Sequence, residues 1–174
     1  MGKVFFISDM HFNHANIIKY CDRPFENITE MNETIINNWN NRVSEKDIIY
    51  VLGDVGLFRP LTQENVRDII TRLKGKKYLI CGNHDRRMKP KWWVETGFVE
   101  AVNHPVVFRK QYVLSHEPVS RRSFTKYINI HGHRHNKQID SDSYINVCVE
   151  CVRYTPISLQ EIEKIVQKSK GGVA

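Results

Sequence analysis

An α/β fold with two sheets is what this sequence predicts, and two patterns predict it. In the first half, short apolar runs alternate with amphipathic helical stretches, which implies parallel strands joined by crossovers. In the second half, short strand-like runs follow one another with no helix between them, which implies a meander or hairpins and hence a second sheet. A third observation ties the halves together: run after run ends abruptly in aspartate, asparagine or histidine.

The elements justify themselves in order. Residues 3–8 carry Val4, Phe5, Phe6 and Ile7 in succession, the pattern of a central buried strand, and exit into Asp9-Met10-His11. Residues 12–18 lead into a short helix broken before Pro24. Met31, Ile35, Trp39 and Val43 recur four apart with Ile36 beside them. That spacing predicts a core-packed helix over residues 27–43, with Thr29 as N-cap and Glu30 and Glu33 in its first turn. Residues 47–52 form a second buried strand and exit into Gly53-Asp54. Thr62 caps a helix through Leu73 whose Val66, Ile69, Ile70 and Leu73 share a face, and Gly75 ends it. Residues 77–81 are the third strand, followed by Gly82-Asn83-His84-Asp85, where Gly82 lets the chain turn sharply. Buried strands that end in ligand-type side chains are how open α/β sheets build sites at their carboxyl edge.

In the second half, strands are expected at residues 98–102, 106–108, 112–115, 127–131 and 144–149, with 153–156 as a further candidate. The third of these runs into His116, and the fourth into Gly132-His133-Arg134-His135. Ser158 and Glu161 make a capping box that opens a last helix to about Lys168, beyond which the tail is expected to fray. No repeat, low-complexity tract or linker interrupts the chain, so one domain over residues 1–174 is expected.

The composition is that of an ordinary globule with room for a substantial core. No apolar run approaches the roughly 20 residues of a membrane span, and residues 1–3 open no signal-peptide hydrophobic region. A cytoplasmic protein that engages no membrane is therefore expected. The formal charge of +7 favours anionic partners, whether phosphorylated small molecules or nucleic acid. Cys148 and Cys151 form a C-x-x-C, but no second pair exists, and the segment reads as a strand with the two thiols on opposite faces. Reduced thiols, in the core or half-buried, are expected for all four cysteines.

Collected together, the strand exits offer Asp9, His11, Asp54, Asn83, His116, His133 and His135. Seven oxygen or nitrogen donors are too many for one ion with open positions and about right for two that share a ligand. Carboxylate, amide and imidazole suit two divalent ions of the Mn²⁺ kind, with Fe, Ni²⁺ or Zn²⁺ as alternatives, and the lack of thiolate argues against structural zinc.

D-x-H at Asp9 and His11, G-D at Gly53 and Asp54, G-N-H-D from Gly82 to Asp85, the isolated His116, and G-H-x-H from Gly132 to His135 occur in that order, each after an apolar strand. This series resembles the five blocks of the calcineurin-like metallophosphoesterases. The stretch from Asp9 to Ile18, with Tyr20-Cys21-Asp22-Arg23-Pro24-Phe25, further resembles a small capless bacterial and phage subgroup. The resemblance implies the family's αββα sandwich, two packed mixed sheets flanked by helices. It implies a dinuclear phosphoester hydrolase in which a metal-bridging hydroxide attacks phosphorus. Asp9, His11 and His135 would bind one ion, Asn83, His116 and His133 the other, and Asp54 would bridge. His84 would act on the leaving-group oxygen, with Asp85 orienting its imidazole. The protein-phosphatase branch continues G-D with acidic and arginine signals that Val55-Gly56-Leu57-Phe58-Arg59 does not match, which argues against protein substrates.

Softer signals surround these blocks. His14 and Asn16 are candidate substrate contacts or simply helix-capping and surface residues. Arg86 and Arg134 are candidate substrate contacts too, and with Arg87, Lys89, Lys91, Arg121 and Arg122 they border the ligand loops, or else form a solvated face. Trp92-Trp93 reads as core, with base stacking as the alternative. His131 is a candidate neighbour of the ligands, whereas His104 reads as a loop residue. The preferred substrate is a small or nucleotide-like phosphodiester. A nucleic-acid end-processing enzyme is the second reading and a non-catalytic metal-binding scaffold the third.

Overall fold

Period-two alternation in the first strands decides which side of the sheet each residue serves. Phe5 and Ile7 fall in one buried cluster and Phe6 in another; Val51 and Leu52, and Leu79 and Ile80, divide in the same way. The computed structural model describes residues 2–57 and 63–171. In it, β1 (Val4–Ile7) pairs in parallel with β2 (Ile48–Val51), and β2 with β3 (Lys76–Ile80). β4 (Glu100–Val102) adds in parallel to β3, and β9 (Ile157–Ser158) adds antiparallel to β1. The order is β4-β3-β2-β1-β9.

The second sheet has the order β5-β6-β7-β8, from β5 (Val106–Phe108), β6 (Tyr112–Ser115), β7 (Ile128–His131) and β8 (Tyr144–Asn146). Both sheets are mixed, as expected of the sandwich. The expected meander or hairpins hold only for β5 and β6, which form a hairpin; β6, β7 and β8 run parallel. The connections, residues 116–127 and 132–143, are each about a dozen residues long, enough to carry the chain back along the sheet.

Among the described residues, five α-helices flank the sheets: α1 (Ala15–Tyr20), α2 (Ile28–Arg42), α3 (Gln63–Arg72), α4 (Pro90–Glu95) and α5 (Leu159–Gly171). α2 buries Met31, Ile35, Ile36 and Trp39, as its spacing predicts, but its N-cap is Asn27 rather than Thr29; the Asn27 side chain accepts from the Glu30 N–H at 3.0 Å. Trp39 is fully buried and its Nε1 donates to Lys74 O at 2.9 Å. Such a side chain contributes roughly 3 kcal/mol through burial alone. The cap expected at Thr62 lies outside the described residues. α4 went unread in the sequence. It begins on Pro90 at its first position, buries Trp93, and delivers β4 to the first sheet instead of the second. The capping box at Ser158 and Glu161 is formed, and α5 runs on to Gly171.

Two cores result. One lies between the first sheet and its helices, with Ile35, Trp39, Ile70 and Trp93. The other lies between the sheets, where Phe6, Leu52 and Ile80 meet Tyr112, Leu114 and Ile130, and α5 adds Leu159, Ile162 and Val166. The last strands differ from expectation. β8 stops at Asn146, residues 153 and 154 lie in a turn, and the C-x-x-C is not in a strand: Cys148 makes a lone parallel bridge to Ser8, and residues 149–151 turn away from it.

Candidate metal centre

Parallel pairing sends the ends of β1, β2 and β3, and of β6 and β7, to one rim. Backbone hydrogen bonds then stitch the exits together. Asp9 N–H donates to Gly53 O at 3.0 Å, His11 N–H to Asp54 O at 3.0 Å, and Gly132 N–H to His116 O at 2.9 Å. The His133 N–H donates to Asp9 Oδ2 at 2.8 Å, which joins the loops of the two sheets. Met10 and Phe12 are fully buried on either side of His11 and anchor its loop in the core.

The exits use backbone shapes that side chains rarely adopt. Asp9, His11, Asp54, His133 and His135 have φ of 58°, 52°, 53°, 67° and 49°. Each left-handed residue of this kind costs roughly 1–2 kcal/mol, and such outliers concentrate at functional sites. Two glycines make the remaining room. Gly53 has φ +88°, and a Cβ there would come within 2.5 Å of His116 Nδ1; a Cβ on Gly82 would overlap Asp54 Oδ1.

The donors form two trios about one carboxylate. Asp9 Oδ1 lies 3.8 Å from His11 Nε2 and 4.0 Å from His135 Nε2. His116 Nε2 lies 3.1 Å from Asn83 Oδ1 and 3.1 Å from His133 Nδ1. Between them, Asp54 Oδ2 is 3.5 Å from His11 Nε2 and 3.5 Å from His116 Nε2. All seven residues singled out in the sequence are thus brought together. His116 Nδ1 faces Leu52 O at 2.8 Å; a carbonyl only accepts, so this ring presents the lone pair of Nε2 to the centre.

Three buried donor atoms, Asp9 Oδ1 and both ring nitrogens of His11, have no hydrogen-bond partner. Each costs about 1–3 kcal/mol when left so. A divalent cation between Asp9 Oδ1 and His11 Nε2 would satisfy two of them. The donor atoms of Asp9, His11 and His135, and those of Asp54, His116 and His133, lie within 4.8 Å of one another. Oxygen and imidazole nitrogen are the donor types that Mn²⁺, Fe or Zn²⁺ accept. The residues present therefore fit bound metal. Burial, the Arg23 charge and the neighbouring histidines hold His11 well below the usual imidazole range, in its neutral, ligating form. Burial, then the Asp9 charge, pushes Asp54 up, while His116 draws it down. A cation reverses that cost.

His84 borders the first trio, its ring 5.0 Å from His11 and 6.0 Å from His14. Asp85 corrects an expectation. Its oxygens accept the main-chain N–H groups of Asp54, Val55 and Gly82 at 2.6, 2.9 and 2.8 Å, so its hydrogen bonds go to backbone rather than to the His84 ring. Burial and the adjacent Asp54 charge push its carboxyl up to about 7, opposed by those N–H donors. Of the candidate substrate contacts, His14 stands at the site, 5.4 Å from His11, whereas Asn16 lies exposed on α1. Exposed Arg134 lines a cavity of about 220 Å³ with Tyr20, His133 and His135. Arg86 lines one of about 250 Å³ with His104, His116 and Glu117. Trp93 is core, and half-buried Trp92 lies under Arg67 at 5.8 Å. Buried His131 donates through Nδ1–H to Gly132 O, 2.8 Å away, and is not among the metal-ligand candidates.

Four residues at the site were not read as such. Cys148 Sγ donates to Asp9 Oδ2 at 3.2 Å, and burial, then the Asp9 charge, pushes its thiol up, so it serves as a donor rather than a ligand. Glu150 meets His135 Nδ1 at 3.1 Å and buried Arg23, and Cys21 lies beside both. Arg23 was visible in the block from Tyr20 to Phe25; Glu150 lay inside a C-x-x-C that drew attention to its sulfurs.

Residues 2–165 match the family profile described as calcineurin-like phosphoesterase. The chain belongs to this family. It is accordingly a metal-dependent phosphoesterase. An uncharacterized protein of Methanocaldococcus jannaschii is 41% identical over 98% of this chain and 94% of its own. The gene 66 protein of Mycobacterium phage D29 is 23% identical over 81% and 82%. Among solved structures, a protein of unknown function from Aquifex aeolicus superposes with a TM-score of 0.72 at 27% identity, covering 95% of this chain and 100% of that one. The nuclease MPE of Pseudomonas putida gives 0.54 at 23% identity over 76% and 61%, a likeness of fold. Among the described residues, no helix of this phosphoesterase is long and apolar enough to cross a membrane.

Proposed function

We propose that the protein hydrolyses small or nucleotide-like phosphodiesters at a two-ion centre. The position of Asp54 Oδ2, 3.5 Å from a histidine nitrogen of each trio, carries this reading. Asp9, His11 and His135 would hold one ion, Asn83, His116 and His133 the other, and Asp54 would serve both. When bound there, two divalent ions, Mn²⁺ first among them, would supply Lewis acidity at the phosphoryl oxygens and lower the pKa of water.

The chain's own residues do the rest. Asp85 pins the turn that carries Asp54. The His84 N–H donates to Asp54 Oδ1 at 3.0 Å, which anchors His84 at the rim, and its half-buried ring would give a proton to the departing oxygen. His14 and the exposed Arg86 and Arg134 surround the phosphoryl group with donors. Cavities of about 220 and 250 Å³ flank the two trios and offer one space for each ester arm. Four free cysteines suit a reducing cytoplasm.

Action on nucleic-acid ends is the second reading. It is supported by the +7 charge, by Arg86 and Arg134 at the rim, and by the fold likeness to a nuclease. Metal-free protein reloaded with Mn²⁺, Fe²⁺, Ni²⁺, Zn²⁺ or Mg²⁺ and assayed on a monoester, a diester, cyclic nucleotides and oligonucleotides separates the two. Fastest turnover of the small diester supports the first. No turnover of any ester with any ion overturns both.

A further inference from the structure

Arg23 is the one charged residue of the block from Tyr20 to Phe25 that the fold buries deeply, at 4% exposure. All of its N–H groups are spoken for. Nη2 donates to Asp9 O at 2.7 Å and Nη1 to Met10 O at 2.9 Å, so the guanidinium grips two carbonyls of the left-handed turn that aims Asp9 and His11. Nη1 also faces Met31 Sδ at 3.4 Å. Nε and Nη2 both donate to Glu150 Oε1, at 2.9 and 2.7 Å. The same oxygen meets His135 Nδ1 at 3.1 Å. A carboxylate accepts, so Nδ1 carries the hydrogen and Nε2, on the far side of the ring, is left with its lone pair toward Asp9.

We propose that Arg23 and Glu150 form a positioning brace for the Asp9, His11 and His135 trio. Arg23 fixes the Asp9–Met10 turn and Glu150 fixes the ring of His135, so the two loops of the trio, from different sheets, are set by one ion pair. The charges matter as much as the geometry. Glu150 offsets a buried guanidinium that would otherwise repel a cation nearby, and a carboxylate on the remote nitrogen makes an imidazole a stronger ligand. A pair that served stability alone would have no need to touch His135. Among the described residues the brace has no counterpart at the other trio, where a backbone carbonyl, Leu52 O, orients His116.

This inference rests on the two-ion reading and is tested by ion binding, independent of turnover. The metal-free full chain is titrated with Co²⁺ and followed by visible absorption and heat, with thermal melts of the metal-free proteins alongside. The unmodified protein should bind in two events. Glu150→Gln, which keeps the shape and removes the charge, should weaken one event about 10–100-fold and leave the other within about twofold. Glu150→Asp should recover part of the loss, and Arg23→Lys, which cannot span both carbonyls and the carboxylate, should weaken the same event. Two unchanged events in folded Glu150→Gln and Arg23→Lys overturn the brace while leaving the two-ion site standing. Failure of both variants to fold without metal also overturns it, by making the pair a structural pillar. No cobalt uptake by the unmodified protein overturns the two-ion reading itself.

Discussion

Asp85 Oδ2 accepts the main-chain N–H of Asp54 at 2.6 Å, so one buried acid stands directly behind another. The same carboxylate also holds Val55 and Gly82. Asp85→Asn turns an NH2 group toward at least one of these N–H donors. A loss of about 1–3 kcal/mol is expected, together with weaker ion binding, because the turn that carries Asp54 loosens. Thermal melts with and without added Mn²⁺ check both.

Asp54→Asn addresses the centre itself. The amide cannot serve two ions as an anionic bridge. Bound metal per chain should fall, and kcat should drop at least about a hundredfold, more than loss of an outer partner costs. Elemental analysis after dialysis, paired with an ester assay, gives the answer.

His84→Ala should behave differently. Its ring borders the trio without being needed to hold an ion, so metal content should stay near the unmodified value. With the proton donor gone, kcat should fall about 100–10,000-fold. Esters with better leaving groups should suffer less, and a series of substituted phenyl esters reads this directly.

Asp47 makes stability depend on acidity. Burial works against its charge, but the Ser44 hydroxyl and amide and the Lys3 amide, at 2.7, 2.8 and 2.7 Å, outweigh it and hold the carboxyl below the usual range. The folded value is below the unfolded one. The stability it contributes is therefore present above about pH 4 and is lost as pH falls through the folded value. Asp47→Asn should lower the melting temperature at pH 7 and flatten its decline toward pH 3.

The four thiols should be slow to react while the chain is folded. Burial pushes Cys81 up to about 12 and Cys21 and Cys151 up to about 11, and Cys148 is more deeply buried than either of the last two. A disulfide reagent at pH 8 should find little thiolate in native protein and all four thiols in denaturant.

The rim was legible because its strands are buried on both faces and so read as unbroken apolar runs, with ligand-type residues placed where each run stops. Asp9, Asp54 and His116 could be found that way. Orientation within the second sheet was not, although the dozen residues between Ser115 and Ile128 were a signal that β6 and β7 could be parallel. β4 was misplaced because the six-residue α4, with its adjacent tryptophans, has no periodicity to count. Asp85 was misread because a carboxylate beside a histidine suggests a partner, and only the fold shows three amides competing for it. Glu150 was invisible because its meaning depends on Arg23, 127 residues away in sequence.

Five of the seven donor residues occupy left-handed backbone. Two separate demands therefore fall on each of those positions, one from coordination chemistry and one from steric tolerance. Few amino acids pass both: aspartate, asparagine and histidine do, while glutamate and the thiol ligands gain little from that conformation. The vocabulary of the rim is narrow for reasons of chain shape as well as of metal affinity, and attempts to re-engineer its ion preference by ligand exchange will meet the backbone first.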